Sequence, residues 1–190
     1  MIKTILNRNA KKIDRFLIKF LNNQKKTLLV SPMKYGVISG GKKIRSTIIF
    51  DTGKMLKVEE KKLLSFSTAV ECIHSYSLIH DDLPCMDNDL TRRGKPSTHK
   101  KFGEATAVLA GNSLLTLAFE IISNKNNFLS PKQKNEIINL LSNCAGYTGI
   151  AGGQELDLKF ENKRKKINQI IDMQKKKTGS LFNFCIQSVA

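Results

Sequence analysis

From about Glu59 to Asp82, apolar residues recur at helical spacing, with Phe66, Ala69, Val70, Ile73, His74 and Ser77 on adjoining positions. A helix with such a stripe must bury it, so the run predicts a helical core. The same period marks most of the chain. Ile13, Phe16, Leu17, Phe20 and Leu21 mark a first helix. A second begins near Tyr35 and carries Ile44, Ile48 and Ile49. A fourth spans roughly Glu104 to Ser123. A fifth opens at Ser130-Pro131, a capping residue followed by proline at the first helical position, and runs to Tyr147. A sixth covers Gly153 to Phe160, and a seventh runs from Lys166 to Ala190. No segment shows period-2 alternation. The expectation is an all-α fold, an antiparallel helical bundle with short loops, in one domain over residues 1–190. A chain of 190 residues can bury such a core.

The formal net charge is +16. Nucleic acid is one partner for such a chain. However, the basic residues are mostly lysines spread in short runs, Lys11-Lys12, Lys25-Lys26, Lys61-Lys62 and Lys163–Lys166, with no zinc finger and no aromatic ladder interleaved with arginine. A solvated basic surface, with some positions reserved for anionic substrates, fits better than a nucleic-acid interface. The cysteines Cys72, Cys85, Cys144 and Cys185 have no C-x-x-C spacing and read as reduced thiols in a cytoplasmic protein. No run reaches the ~18 consecutive apolar residues of a membrane span, and the N-terminus has no secretory pattern.

Chemistry concentrates where the third helix ends. Asp81, Asp82, Asp87 and Asp89 place four carboxylates within nine residues, and Arg92-Arg93-Gly94 follows. Such a cluster is either a solvated acidic turn or a set of oxygen ligands for a hard cation. Mg²⁺ is the natural candidate, because it bridges carboxylates to substrate phosphates. Arginine forks grip the same phosphates. Positions 70, 74, 77 and 81 share a face, so His74 lies on the stripe that leads to Asp81, about two turns (~10 Å) away. It is either a satisfied core histidine or the wall of a polar cavity. His80 reads as supporting or structural.

Three other segments carry weaker signals. In Gly40-Gly41-Lys42-Lys43-Ile44-Arg45, glycines allow close backbone approach and Lys42 and Arg45 could reach one phosphate, although this is not a Walker A loop. In the last helix, Ile167, Ile170, Ile171, Gln174, Lys177, Thr178, Leu181 and Phe182 follow one stripe, which puts Lys177 on a face expected to be buried. Either it reaches back to solvent or the face lines an anion cavity. In Gly152-Gly153-Gln154-Glu155-Leu156-Asp157, Gln154 and Asp157 share a helix face, which is also what a plain helix start would show.

Together these segments resemble the trans-prenyltransferases of the polyprenyl synthetase family, of the bacterial farnesyl diphosphate synthase type. The resemblance runs in order through Gly40–Arg45, Glu71–Pro84, Met86-Asp87, Arg92–Pro96, His99, Lys101–Ala105, Leu109–Gly111, Gly152–Gln154 and Lys177–Gly179. It implies an isoprenoid-synthase bundle and a condensation of an allylic diphosphate with isopentenyl diphosphate, in a homodimer that uses Mg²⁺. It further implies that Asp81 and Asp87 are metal ligands, with Asp82 in support. Lys42, Arg45, His74 and Arg93 would hold isopentenyl diphosphate. Arg92 would hold the allylic diphosphate, with Lys177 and Thr178 as its catalytic partners. Tyr76, five residues before Asp81, would limit the growing tail and favour a C15 product. The string Asp81–Asp89 also resembles plant geranylgeranyl synthases, so C20 is the alternative.

The sequence departs from the family at several points. Ser46 stands where proline is usual, and Asn88 and Asn112 replace common aspartates. The family's second aspartate-rich motif lies beyond the Lys-Thr segment, and none follows Thr178 here. The apolar stripe Leu181, Phe182, Cys185, Ile186 and Val189 has no terminating residue after it. These features set the expectation of a prenyltransferase domain lacking its C-terminal third, inactive or nearly so by itself, or a non-catalytic relative.

Overall fold

The computed structural model describes residues 2–23, 27–38, 40–125 and 127–190. The run Lys25-Lys26 lies outside them. Ten α-helices are described: α1 (Ile2–Asn22), α2 (Val30–Ile38), α3 (Ile44–Met55), α4 (Glu60–Asp81), α5 (Thr98–Phe102), α6 (Glu104–Ser123), α7 (Pro131–Ala145), α8 (Ile150–Phe160), α9 (Ile167–Gln174) and α10 (Ser180–Gln187). A π-helical turn, Lys175–Gly179, joins the last two, and two-residue strands β1 (Thr91–Arg92) and β2 (Lys95–Pro96) pair antiparallel.

α4 is the axis of the molecule. α6 packs along it most extensively, and α3, α1, α2 and α10 surround it. Its middle is buried on all sides rather than on one stripe: Leu63, Phe66, Ser67, Thr68, Ala69, Val70, Glu71, Cys72 and Ile73 are all inaccessible or nearly so. A helix buried all round belongs at the centre of a bundle. Fully buried Ile73 and Leu114 contribute roughly 1.5–3 kcal/mol each by leaving water. The cysteines are free, and burial pushes Cys72 and Cys185 up to about 12, so neither is a ready nucleophile.

The helix boundaries follow local chemistry. At α7, Ser130 Oγ accepts from the Gln133 N–H at 3.2 Å, and the Ser130 N–H donates to Gln133 Oε1 at 3.1 Å, a capping box ahead of Pro131. The expected second helix proves to be two. Gly40 and Gly41 have φ of +93° and +106°, and Lys43 has φ of +44°, so the chain turns between α2 and α3. The hairpin was not expected. Arg93 and Gly94, both at positive φ, form its two-residue turn. The single last helix is interrupted by the π turn. Its early stripe is also displaced, because Ile167, Ile170 and Ile171 are exposed while Met173 is buried.

One feature bears on the membrane expectation. α6 is long and apolar enough to cross a membrane by length and composition, with a mean hydropathy of 1.6 over 18 residues. Its short polar interruptions hide this from a count of consecutive apolar residues. Ala107, Ala110, Leu114, Leu117, Ala118, Ile121 and Ile122 of this helix are buried within the bundle.

Candidate active site

Two oppositely charged regions lie along α4. The first is cationic and centres on His74. The α2–α3 turn brings Gly40 and Gly41 under the hairpin, where Arg93 Nη1 donates to the Gly40 carbonyl. A Cβ on Gly41 would fall 2.7 Å from the Arg93 guanidinium carbon and displace that side chain, and the φ of +106° is one that glycine alone adopts readily. Arg45, in the first turn of α3, stacks over Phe182 of α10 at 4.8 Å. Burial lowers the Arg45 pKa, and Glu71 and then Cys185 oppose that shift. His74 is pushed down to about 3, first by burial and then by Arg45, Arg93, Lys43 and Arg92. It is therefore neutral at physiological pH. The expected residues Arg45, His74 and Arg93 thus converge. Lys42 is exposed, and the buried lysine of the pair is Lys43.

The second region lies at the C-terminus of α4. The following loop folds back so that the Asp87 N–H caps the Asp81 carbonyl at 2.9 Å. Asp81 and Asp87 thereby meet at the negative end of a helix dipole, where carboxylates are disfavoured. The Asp81 carboxyl is pushed up to about 6, chiefly by burial. Lys177 opposes the shift, Asp87 adds to it, Arg92 opposes it and Asp82 adds to it. Gln154 of α8 reaches Asp87 at 3.4 Å. Asp82, read as a supporting residue, is buried and takes Arg92 in a bidentate pair, with Arg92 Nε 2.9 Å from Oδ1. Arg92 also binds Asp89 at 3.0 Å.

Lys177 is held by Asp157 at 2.5 Å across the α8–π-turn contact. The two segments touch through backbone. A Cβ on Gly153 would lie 2.1 Å from the Lys177 nitrogen. The π turn adds a residue without ending the helix, which aims Lys177 toward Asp157 and Asp81. Such turns are frequent at functional sites. Lys177 is neither buried nor free in solvent, because it is partly exposed and paired with Asp157. Thr178, next along, is exposed.

Two oxygen donors at Asp81 and Asp87, one of them driven toward its protonated form, suit a hard cation that keeps waters and binds phosphate. Among the described residues, no group of three or more His, Cys, Asp or Glu side chains forms a metal cage. Protein alone does not enclose an ion there.

The profile of the polyprenyl synthetase family matches residues 26–190. The chain belongs to that family. It is 46% identical over 167 residues to farnesyl diphosphate synthase of Buchnera aphidicola, covering 86% of this chain and 58% of that one. It is 43% identical over 162 residues to farnesyl diphosphate synthase of Escherichia coli, covering 85% of this chain and 54% of that one. The chain therefore spans just over half the length of these curated relatives. A solved FPP/GFPP synthase from Zymomonas mobilis superposes with a TM-score of 0.95 at 41% identity, over 100% of this chain and 69% of that one. The all-α isoprenoid-synthase architecture is shared with it.

In this member of the family, Tyr76 spans the gap from α4 to α7. Its hydroxyl donates to the Ala145 carbonyl at 3.4 Å, and its ring meets His80 edge-on at 5.5 Å. His80 is structural, since its Nε2 lies 3.1 Å from the Val108 carbonyl. Sequence reasoning flagged Gln154 and Asp157 without a role, and it named Lys43, Ser46 and Glu71 without giving any of them a place in the site. A carboxylate at position 71, one turn before His74 on an apolar helix, was the available signal.

Proposed function

We propose that the chain belongs to an enzyme that condenses an allylic diphosphate with isopentenyl diphosphate, making farnesyl diphosphate. The carrying observation is the pair of oppositely charged regions along α4, one gathered around neutral His74 and the other around Asp81, on one face about two turns (~10 Å) apart. The farnesyl diphosphate synthases among the relatives support the reaction class. Lys42, Arg45, His74 and Arg93 would bind isopentenyl diphosphate. Arg45 and Arg93 supply charge, and neutral His74 adds a directional hydrogen bond without competing for a proton. Arg92, Lys177 and Thr178 would bind the allylic diphosphate. Asp81 and Asp87 would hold Mg²⁺, which when bound neutralises the departing diphosphate. The cationic side chains orient the two substrates and disperse the negative charge that develops as the allylic C–O bond breaks. The proton released after carbon–carbon bond formation would pass to the departed diphosphate.

Tyr76, roped to α7 below Asp81, would act as the floor that stops the tail at C15. The same reading takes residues 1–190 as part of one domain acting in a cytoplasmic homodimer, with α6 as a core helix and no role for nucleic acid. A second carboxylate set, expected after the Lys-Thr segment, would come from outside these residues. Binding rather than turnover is therefore the first test. An unreactive allylic diphosphate analogue is titrated with and without Mg²⁺ into the parent chain and Asp81→Asn. Mg²⁺ is expected to tighten binding in the parent alone, and equal binding in all four arms would overturn the reading.

A further inference from the structure

Beneath the cationic region lies a buried ionic knot that the proposed reaction does not use. The side chains of Glu71 and Lys43 are only 4% and 3% exposed, so neither can be solvated. Glu71 Oε1 accepts from Ser46 Oγ at 2.5 Å, and Glu71 Oε2 lies 3.9 Å from Lys43 Nζ. Lys43 Nζ also donates to the Val37 carbonyl at 3.1 Å and faces Asp14 of α1 at 3.3 Å. Ser46 and Ser67 each approach the other's backbone carbonyl, at 3.2 and 3.4 Å. The knot therefore ties the left-handed Lys43 turn, the first turn of α3 and the middle of α4 into one unit.

Arg45 and His74 project from that unit. Arg45 is half-buried, its shielded Nε has no hydrogen-bond partner, and Glu71 is the largest counter-charge acting on it. Leaving that nitrogen unpaired is costly, and the Phe182 ring over which Arg45 stacks supplies no counter-charge, so the guanidinium depends on Glu71 for one. Ser46 is the unusual element. A proline, usual at this position in the resembling family, has no hydroxyl to give Glu71. Here the hydroxyl fixes the Glu71 carboxylate and leaves its other oxygen facing the cations.

We propose that Glu71, held by Ser46 and Lys43, is a positioning residue that aims Arg45 and His74 at the diphosphate of the second substrate. This rests on the reading of the cationic region as a diphosphate site. The two roles open to Glu71 predict opposite signs. If the carboxylate only dilutes the local positive charge, neutralising it tightens anion binding. If it positions the cations, neutralising it loosens binding.

Inorganic pyrophosphate is titrated calorimetrically into the 190-residue chain without divalent cation, a condition in which the carboxylate end of α4 repels the anion. Outer partners of ligand-holding side chains are each worth on the order of tenfold in affinity. Glu71→Gln is expected to weaken binding about tenfold, Ser46→Ala by about threefold, and Ser46→Thr, which keeps the hydroxyl, to retain parental affinity. Circular dichroism melting establishes that each variant is folded. A folded Glu71→Gln that binds as well as the parent or better overturns the inference while leaving the proposed function standing. Should Glu71→Gln fail to fold, unchanged affinity in Ser46→Ala overturns it. No binding by the parent overturns this inference and the diphosphate reading together.

Discussion

The two charged ends of the α4 face are built on opposite plans. Around His74 the cations are braced from beneath by Glu71 and Asp14, and the imidazole is held neutral at about 3. Around Asp81 the carboxylates crowd one another at a helix C-terminus, and Asp81 is pushed up to about 6 despite Lys177. The first region holds its cations against carboxylates of the fold itself. The second holds its charge at a cost, which a cation would remove. One helix thus carries a cationic region braced by buried carboxylates and a carboxylate pair whose charge a counter-ion would relieve. Such a division suits one substrate that binds as a bare diphosphate and another that binds with metal.

The sharpest way to break the contrast is at Asp81. Asp81→Asn is expected to lower turnover of an assembled enzyme on the order of 100-fold, while pyrophosphate binding without metal stays at the parental level. Steady-state kinetics beside calorimetry check this, and equal damage to both would erase the distinction. Gly153→Ala comes next. Its Cβ collides with Lys177 backbone rather than with a movable side chain. Urea unfolding should show a loss of about 1–3 kcal/mol, and allylic analogue binding should weaken with it.

Acid and base titration then separate the two ends by sign. The folded-state pKa of His74 is depressed from 6.5 to about 3, so its contribution is present above pH 6.5 and lost as pH falls toward 3. The Asp81 pKa is raised from 3.8 to about 6, so its contribution is present below about pH 4 and lost as pH rises to about 6. Asp81→Asn should therefore stabilise the unliganded chain at pH 7 by about 2 kcal/mol, with the gain vanishing near pH 4. His74→Gln should lose less stability than the parent on acidification below pH 6. Urea midpoints across pH 4–8 would show both trends. The smallest effect is expected one residue from Lys177. Lys176 pairs with Asp172 at 2.8 Å on the surface, and Lys176→Ala should cost about 0.5 kcal/mol or less.

Much of this was legible in the sequence where a local rule had one outcome. Ser130-Pro131 announced α7, and Glu104 to Ser123 matched α6, because caps and period agree there. The cluster at Asp81 and Asp87, with Arg92 and Arg93 nearby, was visible because charge density needs no fold to be noticed. Other features depended on contacts between distant segments. Gly40-Gly41 was read for ligand approach, yet the same backbone freedom also breaks the helix. Nothing in the Lys42-Lys43 pair tells which lysine is buried. That depends on Asp14, 29 positions before Lys43, and Glu71, 28 positions after it. The hairpin strands are too short to alternate, and only the Arg93-Gly94 turn could have signalled them. The exposed Ile167, Ile170 and Ile171 show the limit of a stripe read at a constant 3.6 period through a segment that does not keep it.

That irregular segment bears on how the chain tolerates insertions and deletions. Removing one residue from Lys175–Gly179 would convert the π turn into ordinary α-helix, with better backbone hydrogen bonds on both sides. Everything after the cut would rotate by about 100° relative to what precedes it. Either Lys177 would leave Asp157, or Leu181, Phe184 and Cys185 would leave the core. A frame-preserving codon loss there would thus yield a more regular helix and a poorer protein. The length of this segment is constrained even though none of its residues is buried.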